Sequence, residues 1–180
     1  AIVNGDAVIS LGTSFLVSFP VNYFVPAVQD LHYTLEILPQ DKYALELGTG
    51  TGTNVLDWLR STLFELSSID SLNNLAATSS RGANGVKVIP HWWAALHQNN
   101  SGSIRDLRLY HTRGDIARAT MEGLAYELRW IWDHLSQATR ISPSQIALCG
   151  GASKNRLLCQ IISSVLQRRV YWSATAEASA

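Results

Sequence analysis

The segment QIALCGGASKNRLLCQIISSVLQRRVYWSA, which starts at residue 145, reads as strand, glycine turn, helix and strand in succession. Ile146-Ala147-Leu148 is an apolar strand, 149–155 is the turn, and 156–167 carries helical spacing. Strands joined through a helix imply at least some parallel pairing, so the chain is committed to an α/β fold. In front of this unit stands a hairpin. Its β-rich runs, 7–11 and 15–19, flank the polar trio Gly12-Thr13-Ser14. A plain hairpin would be content with Asn-Gly or Asp-Gly. A glycine beside two hydroxyls suits a turn that brings backbone N–H groups close to an anion, although all three are ordinary turn residues too.

Between these units the pattern is less regular. A segment punctuated by Pro20, Pro26 and Pro39 contains a strand-like run at 32–37. ALELGTGTGTNVLDWLRSTLFELSSI follows, an apolar run, a Gly/Thr turn and an amphipathic helix with Leu56, Leu59, Leu63 and Leu66 at helical spacing. Residues 67–85, rich in Ser, Asn, Ala and Gly, read as surface connection with some frayed helix. A strand at 86–89 ends at Pro90, and HWWAALHQNNSGS then reads as a loop. Its Trp92 and Trp93 cover core or edge a sugar or partner surface. The longest helix spans 115–135, with Ile116, Thr120, Leu124, Leu128, Ile131 and Leu135 on one face and Asp115 able to cap its start. Arg118 and Glu122, four apart on it, read as a scaffold pair.

Composition narrows the function. With 47% hydrophobic residues, 16% charged, and 14 basic against 14 acidic side chains, no basic field exists to hold nucleic acid or an anionic membrane. No apolar run reaches the length of a membrane span, and AIVNGDAV lacks the pattern of a signal peptide. Cys149 and Cys159 have no metal-ligand spacing, and both are expected reduced and buried in a cytoplasmic protein. His91, His97 and His111 have none either, so no metal ligands are assigned. At 180 residues the chain fits one domain, and its two ends read as those of a domain truncated on both sides.

Three glycine turns carry the chemistry. Besides Gly12, LELGTGTGTN follows the strand–glycine–helix grammar of a nucleotide-type site and resembles the first motif of S-adenosylmethionine-dependent methyltransferases. Asp70 lies about where that class places its ribose-binding acid. In CGGASKN, Gly150 and Gly151 offer a surface without side chains to a flat ring, Ser153 can cap the next helix, and Asn155 points toward the same space. The plain alternative is a tight strand-to-helix turn, for which a double glycine suffices.

Taken in order, the GTS hairpin, GTGTNVLDWLR, RATMEGLAYELR and CGGASKNRLLCQIISSVL resemble the C-terminal domain of the FGGY family of carbohydrate kinases, over nearly the whole chain. That resemblance implies a ribonuclease H-like, actin-like ATPase fold, a mixed sheet flanked by helices. It implies that Gly12 and Thr13 touch the terminal phosphates of ATP, and that Gly52 and Thr53 lie near phosphates and ribose. Asp57 would make a polar nucleotide contact, and Gly150, Gly151 and Asn155 would line the adenine pocket. Glu177 matches the start of the family's closing helix. Thr53 departs from the usual glycine, and the loop at 97–106 is altered. The implied reaction uses Mg2+ with ATP and a sugar or polyol held mainly by a missing N-terminal domain, with the catalytic base an Asp of a Gly-Asp segment upstream of residue 1. Asp6 is read as a turn residue, so no catalytic residue is assigned here and the chain alone is expected to be inactive. A homodimer of the parent is compatible with this. The alternatives are the methyltransferase-like domain and a non-catalytic kinase homologue.

Overall fold

The computed structural model describes residues 6–25, 34–38, 42–92 and 101–172. Pro26, His32, Pro39, Trp93, His97 and Glu177 lie outside them.

A six-stranded mixed sheet forms the body, running from edge to edge through β3 (Thr34–Leu38), β4 (Lys42–Gly48), β2 (Phe15–Val21), β1 (Ala7–Leu11), β7 (Gln145–Cys149) and β8 (Arg169–Trp172). β1 (Ala7–Leu11) and β2 (Phe15–Val21) make the expected hairpin, with Leu11 opposite Phe15 across the Gly12-Thr13-Ser14 turn. β4 (Lys42–Gly48) runs antiparallel to β2 on one side and to β3 (Thr34–Leu38) on the other. β7 (Gln145–Cys149) lies parallel to both β1 and β8 (Arg169–Trp172), which is the crossover geometry expected of the C-terminal unit. Strict alternation along β1 and β2 sends Ala7, Ile9, Leu11, Phe15, Val17 and Phe19 into the core. Helix α3 (Arg113–Thr139) packs on β2 and β4 and touches α2 (Ile69–Ala77) and α4 (Arg156–Leu166). Trp132 of α3 meets Phe19 edge-on, ring centres 4.7 Å apart. A two-stranded sheet, β5 (Lys87–Ile89) with β6 (Ser103–Arg105), sits over a small second cluster. Trp92 packs there half-buried, the core-covering role of the two readings above.

The structure corrects the sequence reading in several places. Helix α1 (Thr53–Trp58) does not continue as one α-helix, because a π-helical turn spans Leu59–Leu63. The i→i+5 bonding inserts a residue, so Leu63 turns out to solvent at 45% exposure and Phe64 takes the core position at 6%. Residues 69–77, read as frayed connection, are a regular helix. Ser68 caps it by accepting the Ser71 N–H at 3.1 Å, and Leu72 and Ala76 are fully buried. The cap of α3 is Thr112, not Asp115. Thr112 Oγ1 accepts the Asp115 N–H while the Asp115 carboxylate accepts the Thr112 N–H at 2.7 Å, a reciprocal box. Asn155 rather than Ser153 caps α4. Asp6 is a buried group that accepts the Tyr171 hydroxyl at 2.8 Å, tying the start of β1 to β8. That hydrogen bond to Asp6 raises the Tyr171 pKa, and burial and the carboxylate's charge add to it.

Candidate functional site

At the carboxyl ends of β1 and β7 the chain opens a cleft of about 580 Å³. Its floor is the GTS turn, with Leu11, Gly12 and Thr13. One wall is Thr53, Leu56 and Asp57 of α1 with Ile69, Asp70 and Asn73 of α2. The other wall is Gly151, Ala152, Lys154 and Asn155, the turn between β7 and α4.

The Gly/Thr turn is locked against the hairpin by backbone bonds. Thr53 N–H donates to Gly12 O at 3.1 Å and Asn54 N–H to Thr13 O at 3.3 Å. Thr49 N–H donates to Phe15 O at 2.8 Å, and the buried Thr49 hydroxyl accepts from Phe15 N–H and donates to Thr51 O. Asn54 closes the turn from within, its Oδ1 accepting the N–H groups of Gly52 and Val55, both at 2.8 Å. Gly52 is required by this contact, since a Cβ there would stand 2.8 Å from Thr13 O and 2.7 Å from the Phe15 ring. Thr49 and Thr51 are therefore braces, and of the three threonines only Thr53 faces the cleft.

The double glycine divides in the same way. Gly150 has φ +82° and ψ 168°, a conformation open to glycine alone, and a Cβ on it would stand 2.8 Å from Leu11 C and O. Gly151 has no positive φ, and a Cβ there would meet nothing within 4 Å. Its empty side is the cleft. Ser153, 8% exposed, turns its hydroxyl back to Gly150 O at 2.7 Å, while its carbonyl takes the Trp172 indole N–H. Asn155 Oδ1 accepts the Leu158 N–H at 3.1 Å, and its Nδ2 donates to Asn73 Oδ1 at 2.7 Å. The two walls thus touch through a pair of amides.

Of the residues singled out in the sequence, the structure brings Gly12, Thr13, Thr53, Asp57, Gly151 and Asn155 to one cleft. Gly52 and Gly150 stand behind its surface as packing residues. Asp57 is 63% exposed at the rim, its carboxylate 3.6 Å from Arg60 Nε. Asn73 and Lys154 were missed, Asn73 because α2 was read as connection. Its signal was present: Ser68 as a cap, then Ile69, Leu72 and Ala76 at helical spacing. His91 lies away from the cleft, bonded to Glu127 at 2.9 Å, and His111 receives the Arg108 N–H. Among the described residues no group of three or more His, Cys, Asp or Glu gathers to hold a metal, and no helix is long and apolar enough to cross a membrane. Both cysteines are buried and unpaired.

Comparison with known proteins points one way. The family model for the C-terminal domain of the FGGY family of carbohydrate kinases matches residues 7–180. A xylulose kinase of Staphylococcus epidermidis is 30% identical over 173 residues, covering 92% of this chain and 34% of that protein. A glycerol kinase of Vibrio vulnificus is 32% identical over 146 residues, covering 77% of this chain and 28% of its own length. The chain thus spans about a third of the curated relatives it matches. Among solved structures, the xylulose kinase of Rhodospirillum rubrum superposes with TM-score 0.83 at 25% identity, over 93% of this chain and 34% of that one. The glycerol kinase of Plasmodium falciparum with ADP has the same fold, at TM-score 0.83 and 23% identity, over 96% of this chain and 36% of its own. These likenesses give the methyltransferase reading no support. The sheet supplies a physical reason, because β4, which leads into the Gly/Thr turn, is antiparallel to both neighbours rather than part of a parallel doubly wound unit.

Proposed function

This chain belongs to the FGGY family of carbohydrate kinases, and on that premise we propose that it is the C-terminal, ATP-binding part of a cytoplasmic sugar or polyol kinase. The observation that carries the reading is the shared cleft. A hydroxyl-bearing turn at Gly12-Thr13 and a side-chain-free surface at Gly151 face one space, also lined by Leu11, Leu56, Ile69 and Ala152. A flat base needs the apolar surfaces and Gly151, while a phosphate chain needs the turn. Thr13 is exposed at the tip of that turn. Lys154 adds a cation at the cleft.

In the reaction, the bond between the γ-phosphorus and its bridging oxygen breaks, a sugar hydroxyl oxygen bonds to that phosphorus, and a carboxylate takes the hydroxyl proton. Such chemistry depends mainly on positioning and charge stabilisation. This chain's part is to hold the nucleotide: Gly151 and Asn155 on the base side, Thr53 and Asp57 beside the ribose and phosphates, Gly12 and Thr13 at the terminal phosphates. Mg2+ travels with nucleotide phosphates and takes only one or two protein carboxylates, a demand that Asp57 and Asp70 at the cleft are suited to meet. The base and most of the sugar site belong to the remaining two thirds of a full-length kinase.

A 15N-HSQC titration of the chain with Mg-ATP, Mg-ADP and S-adenosylmethionine tests this, because it reads even millimolar binding. Saturable shifts of the Gly12, Thr13, Gly151 and Asn155 amides are expected with ATP and ADP, absent in Gly151→Val. Shifts with S-adenosylmethionine alone, or none with ATP at millimolar concentration, refute the reading.

A further inference from the structure

We propose that Asn73, on helix α2, is a base-reading residue of the cleft, presenting an N–H donor to an unprotonated ring nitrogen of a bound purine. The inference rests on the nucleotide reading above and adds a residue that neither motif nor family match singles out.

The two amides that join the cleft walls fix each other's orientation. The N–H of Leu158 can only donate, so the Asn155 atom that caps α4 at 3.1 Å is its oxygen. That turns the Asn155 Nδ2 toward α2. The Asn73 atom 2.7 Å from it must then be an acceptor, which is Oδ1. The end of Asn73 left over is therefore its Nδ2, with two N–H donors, and no described residue accepts from it. Asn155, expected from the motif to serve the adenine pocket, spends its oxygen and one of its two Nδ2 N–H groups on protein. Besides lining the pocket with what is left, it sets the rotamer and amide sense of Asn73.

The surroundings suit a flat heteroaromatic ring. Asn73 is half-buried, so its side chain is confined rather than swinging in solvent. Ile69, one turn earlier on α2, lines the same cleft wall and offers an apolar edge, while Ala152 and Gly151 line the opposite one. A donor in such a place gains most from an in-plane acceptor, and a purine carries these as ring nitrogens.

The rival reading makes Asn73 a tether between α2 and α4 and nothing more. Two variants and a set of ligands separate the two. Asn73→Asp keeps an acceptor for the Asn155 Nδ2, hence the tether, but removes the donor; Asn73→Ala removes both. Dissociation constants for ATP and for 1-deaza-, 3-deaza- and 7-deaza-ATP are measured by HSQC titration of the full chain. Each variant is judged by its analogue-to-ATP ratio, in which charge and general damage cancel. On the wild type, one deaza analogue is expected to bind about five- to tenfold more weakly than ATP, the worth of one net hydrogen bond. In both variants that ratio falls to about one. The proposal is overturned if no deaza analogue is weakened on the wild type, or if the weakened one stays equally weak against Asn73→Asp. Either result leaves nucleotide binding standing, whereas a wild-type chain that binds no nucleotide overturns both readings.

Discussion

Replacing Gly150 by alanine should unfold this protein far more readily than the same change one residue later. At φ +82° and ψ 168° an L-residue is strained, by about 1–3 kcal/mol. The new Cβ also stands 2.8 Å from Leu11 C and O and 3.0 Å from Leu11 N. Those atoms belong to β1, which is hydrogen-bonded to β2 on one side and β7 on the other, so the backbone cannot retreat without loosening a ladder. Such overpacking adds about 1–3 kcal/mol, for a total of about 2–6 kcal/mol. A central loss of about 4 kcal/mol lowers Tm by roughly 8–16 °C in a domain of this size. Gly151→Ala starts from an unstrained φ with open space around its Cβ, and is expected to stay within about 1 kcal/mol of wild type, on the stabilising side. Urea titration and thermal melts of both variants check this. Equal melting of Gly150→Ala and wild type would refute the geometric argument. A Gly151→Val chain that melts normally and binds ATP as before would refute the placing of the base against Gly151.

Three further outcomes are expected. Asp115 is 3% exposed; burial acts to raise its pKa, but hydrogen bonds from Ser79, Thr112 and Asn84 prevail and bring it from 3.8 to about 2. A folded pKa below the unfolded one contributes stability above about pH 4 that is lost as pH falls toward 2, about 2 kcal/mol in all, so Asp115→Asn should weaken the protein by that order at pH 7 and flatten the acid limb of urea-unfolding profiles. Phe64→Ala should cost about 3–5 kcal/mol and Leu63→Ala about 0.5 kcal/mol or less in the same assay, the reverse of what an unbroken helix through Leu63 demands. Asn54→Ala strips the Gly/Thr turn of its acceptor for two N–H groups, and a loss of about 1–2 kcal/mol should accompany displaced Gly12 and Thr13 amide resonances in HSQC spectra.

How far the sequence could be read depended on whether a local pattern had one physical cause or two. The β1–β2 hairpin and the β7–α4–β8 crossover were legible because alternation, a turn and helical spacing each leave a periodic trace that no other structure imitates. The π turn at Leu59–Leu63 left no such trace. Leu56, Leu59, Leu63 and Leu66 satisfy a helical stripe on paper, and only the inserted residue shows that Phe64 replaces Leu63 in the core. Helix α2 was obscured by its composition. In IDSLNNLAA the serine and asparagines suit loops, and burial of Leu72 and Ala76 against the rest of the core overrides that preference.

Glycine was the hardest residue to interpret, for a reason that bears on the cleft itself. A glycine admits either a ligand or another piece of backbone, and composition cannot say which. Gly52 and Gly150 admit backbone, the first Thr13 and the second Leu11. Both intruders belong to the GTS hairpin or its approach, so these two glycines dock the Gly/Thr turn and the CGGASKN turn onto one hairpin tip. Gly12, Thr13, Thr53 and Gly151 reach a common space because their neighbours behind them are held in contact. The cleft therefore depends on an inner pair of glycines whose missing side chains leave room for protein backbone, and substitution there should abolish ligand binding through misassembly. Loss of binding alone cannot distinguish the two glycines of CGGASKN; loss of binding with unchanged melting belongs to Gly151 and not to Gly150.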